Sequence, residues 1–240
     1  MEPLRLLTFG GLALFVGDVT QTGPATRRHR LALLVLLAVA RERGLNRDKI
    51  QGYLWPESDV ERARHGLNQL VYFQRRHLDS EELFLGRKNL RLNSGAITID
   101  VWDFEDAFDK GAYEEAVRLY AGPFLDGFFL KGAPEFERWV TAQGKRLAEK
   151  CARALALLAA GAANHGDHRQ AVEWWRRAAE LNPFDTDTVL QLAKAWVAVG
   201  DRAAAVRCAQ QYEEVLKAEL DLPPDPRVTR MIAELRRATC

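Results

Sequence analysis

The spacing of apolar positions changes character several times along this chain. From Leu4 to Val19 apolar and polar residues alternate weakly, and Gly10-Gly11 and Gly17-Asp18 sit where turns belong, which predicts two or three short antiparallel strands. From Arg27 to Arg43 the period lengthens to that of a helix. Its core, Leu31, Leu33, Leu34, Leu36 and Leu37, is apolar nearly all round and must be buried on several sides, with Thr26 as N-cap and Gly44 as terminator. Asn46 introduces a short helix, Arg47 to Leu54, that turns Ile50, Tyr53 and Leu54 inward and stops at Trp55-Pro56. Ser58 and Glu61 have the spacing of a capping box for a third helix, Ser58 to Leu78, whose inward stripe is Val60, Ala63, Leu67, Leu70, Val71 and Leu78. Two short apolar runs, Glu82 to Leu85 and Leu90 to Leu92, flank Gly86-Arg87-Lys88-Asn89 and read as a hairpin with a basic tip. Strands, three helices and a basic hairpin together predict a winged helix-turn-helix with a small antiparallel sheet.

Asp100 opens a different pattern, helical almost to the end, so the chain is expected to be mainly α with domains at 1–99 and 100–240. Gly166, Asp167, Ala171 and Val172 recur as Gly200, Asp201, Ala205 and Val206, each pair 34 residues apart, which is the tetratricopeptide period. A third copy begins at Gly111 with Ala116 and Val117. Pro134 introduces one long helix, Glu135 to Asn164. The second half is therefore read as an all-α tetratricopeptide-like bundle, an architecture that binds proteins or peptides and has no catalytic centre of its own.

Charge sharpens the picture. The net charge of +1 hides an asymmetry: 15 Lys and Arg face 11 Asp and Glu in residues 1–100, and 14 face 8 in residues 25–92. A local basic field is a physical argument for a nucleic-acid partner. Cys151, Cys208 and Cys240 are odd in number and lack paired spacing, which fits a reducing cytoplasm. No signal peptide is visible, and the longest apolar run, Leu31 to Ala40, is too short to span a bilayer, so no membrane segment is expected.

The outward face of the third helix carries the candidate chemistry. His65, Asn68, Gln69 and Tyr72 are the candidate base-reading set, because Asn and Gln can pair with adenine edges in the major groove. Arg27, Arg28, Arg30, Arg64, Arg75, Arg76, Arg87 and Lys88 are candidates for phosphate contacts, which position without specifying. Each reads equally as a solvated surface charge, and the helix itself as an amphipathic surface helix. No phosphate-binding glycine loop or nucleophile elbow occurs. His165 and His168 lack a third metal ligand, so neither a metal, a cofactor nor a catalytic residue is expected.

The order of Arg30-Leu31-Ala32-Leu33-Leu34, Leu54-Trp55-Pro56, Ala63-Arg64 with Leu67, and Arg75-Arg76 with Leu78 resembles the DNA-binding domain of the Streptomyces antibiotic regulatory proteins. Asp100-Val101, Phe104, the run Tyr120 to Leu125, Trp139 and the Gly-Asp repeats resemble their bacterial transcriptional activator domain. The resemblance implies a sequence-specific activator that binds promoter DNA, often as a homodimer, and contacts RNA polymerase holoenzyme. It places Glu57, Asp59 and Glu61, before and at the start of the third helix, towards the polymerase, although solvated acids at a helix cap read equally well. Two residues depart from the family pattern: Gln74, where an apolar residue is usual, and Gly66 within the reading helix. Larger relatives continue into further domains, so the chain is also readable as part of a longer protein. The alternative reading is a helical-repeat scaffold with a degenerate winged helix.

Overall fold

The computed structural model describes residues 3–237. They form two compact units, divided between Leu147 and Ala148. In the first, β1 (Leu4–Leu7) and β2 (Ala13–Val16) pair antiparallel, with Leu6 opposite Leu14, and β3 (Val19–Thr20) extends the sheet. The alternation of Leu4 and Leu6 inward with Arg5 outward explains why this weak pattern still makes a strand.

Next, α1 (Arg28–Ala40) buries every residue from Arg30 to Ala38, as its all-round apolar sequence requires. It is shorter than expected at both ends, because single 3-10 turns at Gly23–Thr26 and Arg41–Arg43 flank it and Thr26 makes no side-chain cap. A two-residue strand, β4 (Leu45–Asn46), leads into α2 (Arg47–Leu54), where Asn46 accepts from the Asp48 amide at 2.8 Å. The third helix, α3 (Val60–His77), starts later than the capping box suggested. Asp59, not Ser58, is the cap and accepts from the Arg62 amide at 2.9 Å. Val60 therefore falls in the first turn and is 73% exposed, outside the inward stripe. β5 (Phe84–Leu85) and β6 (Asn89–Leu92) then form the hairpin, with β4 on the far side of β6.

Two strands, β4 and β7 (Ile97–Ile99), have no counterpart in the sequence pattern. β7 pairs parallel to β1, Leu6 opposite Ile99, and delivers the chain to α4 (Asp100–Asp109). The Asp100 carboxylate accepts from Thr8 N at 2.7 Å, Thr8 Oγ1 at 2.6 Å, Phe9 N at 2.9 Å and its neighbour Val101 N at 2.8 Å. It thus closes the end of β1 as well as opening α4. Trp102 donates its indole N–H to the Ala38 carbonyl at 2.5 Å, so α4 is tied to the end of α1. α5 (Tyr113–Leu119) packs on α4, and α6 (Pro134–Asn164) runs as the single long helix that Pro134 announced.

The second unit is helical. α7 (His168–Leu181), α8 (Thr186–Val199), α9 (Arg202–Leu220) and α10 (Pro226–Arg237) follow one another, each packed against the next. The 34-residue repeat has a physical content here. Gly166 and Gly200 turn the chain at φ 78° and 91°, and Asp167 and Asp201 cap the next helix by accepting from Gln170 N and Ala204 N. At the third copy Ala112 follows Gly111, and α5 has no side-chain cap. Val189, Ala209, Tyr212, Leu216, Val228 and Ile232 form one core cluster of this unit. No described helix is long and apolar enough to cross a membrane.

Candidate nucleic-acid interface

The inward face of α3 buries Ala63, Leu67, Val71 and Gln74, and the 3.6-residue period leaves His65, Asn68, Gln69, Tyr72 and Arg76 exposed. Tyr72 is 54% exposed, and its hydroxyl accepts from Arg76 at 3.2 Å, a four-residue pair along the helix. The four candidate readers thus share one face.

Of the two departures from the family pattern, Gly66 has a structural cause and Gln74 has none. Gly66 faces Trp55: a Cβ built on it would lie 3.1 Å from Trp55 Cζ2. The glycine makes room for an indole, which also stacks against His29 at 5.4 Å between ring centroids. Gln74 is fully buried, and neither end of its amide finds a hydrogen-bond partner. It occupies a core position as a polar residue.

The phosphate candidates divide. Arg64, Arg76, Arg87, Lys88, Arg27 and Arg28 are exposed. Arg28 donates to the Phe129 carbonyl, and its guanidinium sits over the Phe128 ring. Arg30 is not available: it is 5% exposed, donates to the Pro24 carbonyl at 2.5 Å and lies over the Phe73 ring at 4.9 Å. Its cation is a core tie between the start of α1 and α3. Arg75 is half-buried and donates to the Phe84 carbonyl at 2.8 Å, which fixes the root of the hairpin to α3.

At the hairpin tip a Cβ on Gly86 would meet the Asn89 carbonyl oxygen at 2.0 Å, so only glycine lets the turn close. Arg87 and Lys88 project from that turn. The residue that connects this tip to α3 belongs to none of the sequence motifs. Arg47 donates Nε–H to the Arg87 carbonyl at 2.9 Å and a terminal N–H to Asn68 Oδ1 at 3.0 Å. A signal was present, because a cation in the first turn of a helix opposes the macrodipole and needs another reason to be there.

The acidic loop residues Glu57, Asp59 and Glu61 are all exposed. Two are already engaged: Asp59 caps α3 and pairs with Arg62 at 3.1 Å, and Glu61 lies 3.9 Å from Arg64.

Elsewhere, burial is the leading cause of shift for several titratable groups. Burial pushes the Cys151 thiol up to about 12 and Cys208 to about 11, which makes both poor nucleophiles. Cys240 lies outside the described residues. Burial also raises the Asp100 carboxyl, against the donors that hold it, and lowers the His29 imidazole. Among the described residues no three His, Cys, Asp or Glu side chains converge as metal ligands.

Residues 102–236 match the family described as Bacterial transcriptional activator domain. Among solved structures, the chain is similar to Mycobacterium tuberculosis EmbR in complex with a low affinity phosphopeptide, with 20% identity and a TM-score of 0.69. That likeness covers 99% of this chain and 66% of the other, so this chain spans about two thirds of the length of the protein it matches. At that identity it speaks for the fold, and it bears out a winged helix-turn-helix followed by a tetratricopeptide-like helical bundle. No curated protein matches the chain.

Proposed function

The chain belongs to the bacterial transcriptional activator domain family, and from that membership we propose a sequence-specific DNA-binding regulator of transcription, acting as an activator. In this reading residues 1–99 carry the DNA contact and residues 100–240 the activator domain. α3 enters the major groove with His65, Asn68, Gln69 and Tyr72 towards the base edges, while Arg87 and Lys88 of the wing grip the backbone alongside. One observation carries it: Arg47 holds Asn68 and the Arg87 backbone at once, so reading helix and wing tip lie within the span of a single guanidinium.

Arg27, Arg64 and Arg76 supply further phosphate contacts, with Arg28 able to join them if it leaves the Phe129 carbonyl. Arg75 serves the frame from which the wing projects. The loop before α3 faces RNA polymerase holoenzyme, and Glu57 is its principal acid, because Asp59 and Glu61 already have basic partners. The resemblance to the antibiotic regulators supports a homodimer on repeated promoter sites. No catalytic role is assigned to any residue.

The test compares variants on a duplex enriched from a random-sequence library by the wild-type chain and on a shuffled duplex. Asn68→Ala and Gln69→Ala should narrow the affinity ratio by roughly 5-fold to 100-fold, the scale of one good base contact. Arg87→Ala should weaken both duplexes alike and reduce the salt slope by about 1. Equal behaviour of the two classes would contradict the division of roles.

A second reading, a protein-interaction scaffold with a degenerate winged helix, is favoured by one feature. An open apolar groove in the helical unit is lined by Val189, Leu192, Trp196, Cys208 and Tyr212. Weak, sequence-blind DNA binding would support it.

A further inference from the structure

Arg47 is the first residue of α2, 21 residues from Asn68 and 40 from Arg87, and its side chain reaches both. Its own backbone N–H points to the Lys88 carbonyl at 3.4 Å. The guanidinium is a rigid fork with donors and no acceptor. Whichever amide atom of Asn68 faces it must therefore be the oxygen, whatever the ambiguity of an isolated amide. Nδ2, with its two N–H donors, is left as the free end.

The geometry points to Arg47 as a positioning residue that sets the polarity of Asn68, so that this amide meets DNA donor-first. This rests on the DNA-reading function proposed above and narrows it. An asparagine free to use both ends pairs bidentately with adenine, accepting from N6 and donating to N7. Here the oxygen already accepts from a cation, and a second donor would have to approach beside that positive charge. The free amine seeks an acceptor, and in the major groove purine N7 is the acceptor common to adenine and guanine. Asn68 then disfavours cytosine, whose edge offers only a donor, and leaves adenine and guanine nearly equivalent at N7, with thymine O4 the one pyrimidine acceptor within its chemistry. The same guanidinium holds the wing tip through the Arg87 carbonyl, so the register of the wing and the orientation of the reading amide are set by one side chain.

The experiment uses the full chain, the enriched duplex and the shuffled duplex. Asn68→Ala should lower the affinity ratio about tenfold, whereas Arg47→Ala, which frees both ends of the amide, should turn the near-equivalence of adenine and guanine at that position into an adenine preference of about tenfold, an effect absent from the double variant. Arg47→Lys should not restore the equivalence, since an ammonium on a flexible stem lacks the fixed planar fork that presents two donors to the two oxygens at once. It also keeps the charge and serves as the test should the alanine variant unfold. On the wild-type chain, 7-deaza substitution of one purine, which deletes N7, should cost about tenfold and have no effect on Asn68→Ala, while adenine-to-guanine exchange there should stay within about threefold. Effects of Arg47 and Asn68 that multiply, an adenine-to-guanine ratio unchanged in Arg47→Ala, or a strong adenine preference of the wild-type chain would overturn the assignment of Arg47 and leave the DNA-reading function standing. A wild-type chain that binds both duplexes equally would instead overturn that function.

Discussion

Gln74 places a side-chain amide in a fully buried site with no partner for either end. Leaving such a group unsatisfied costs about 1–3 kcal/mol, whereas an apolar group of similar shape costs nothing of the kind. Gln74→Leu should therefore raise stability by about 1–2 kcal/mol, read as a higher urea midpoint with an unchanged slope. A lower midpoint would show that the amide is satisfied in solution. His29, stacked on Trp55, carries a different liability. Burial lowers its imidazole below the ordinary 6.5, so the unfolded chain takes up a proton first as the pH falls. The stability it permits is complete above about pH 6.5 and is lost as the pH falls through the lower folded value. His29→Phe keeps an aromatic ring against the indole, and its urea midpoint should fall less between about pH 7 and pH 5 than that of the wild type. Parallel midpoints would remove His29 as the cause.

Among the elements, the wing depends most on a single residue. A Cβ at Gly86 would meet the Asn89 carbonyl oxygen at 2.0 Å, on a strand only four residues long. Gly86→Ala should distort the turn that presents Arg87 and Lys88, weakening binding to enriched and shuffled duplexes together by about tenfold while α3 keeps its discrimination. Loss of discrimination with unchanged nonspecific affinity would contradict the separation of wing and helix roles. The wing hairpin, the Asn46 cap of α2 and the start of α6 at Pro134 were all legible in the sequence, because each is set by residues a few positions apart. β7 was not, since three residues gain their strand character from a partner more than ninety positions earlier. The start of α3 was displaced because Ser58 and Asp59 are both cap residues and only the fold selects between them. The exposed face of α3 followed from helical period. The burial of Arg30 over Phe73 and the reach of Arg47 to Asn68 did not, because both depend on how helices pack rather than on spacing within one helix.

At the scale of the whole molecule, basic charge is gathered where the DNA contact is proposed: 14 basic against 8 acidic residues between 25 and 92, in a chain whose net charge is +1. Such a field draws the chain to any duplex and makes affinity fall with salt, whereas base reading by α3 is what singles out one site. The most direct measurement is methylation interference with dimethyl sulfate on the enriched duplex, carried out with the full wild-type chain at rising salt. Dimethyl sulfate marks guanine N7 in the major groove, so the account predicts that methylation at one or a few discrete guanines blocks binding, at positions that do not shift as salt increases. Binding indifferent to major-groove methylation, or interference spread evenly along the duplex, would contradict it.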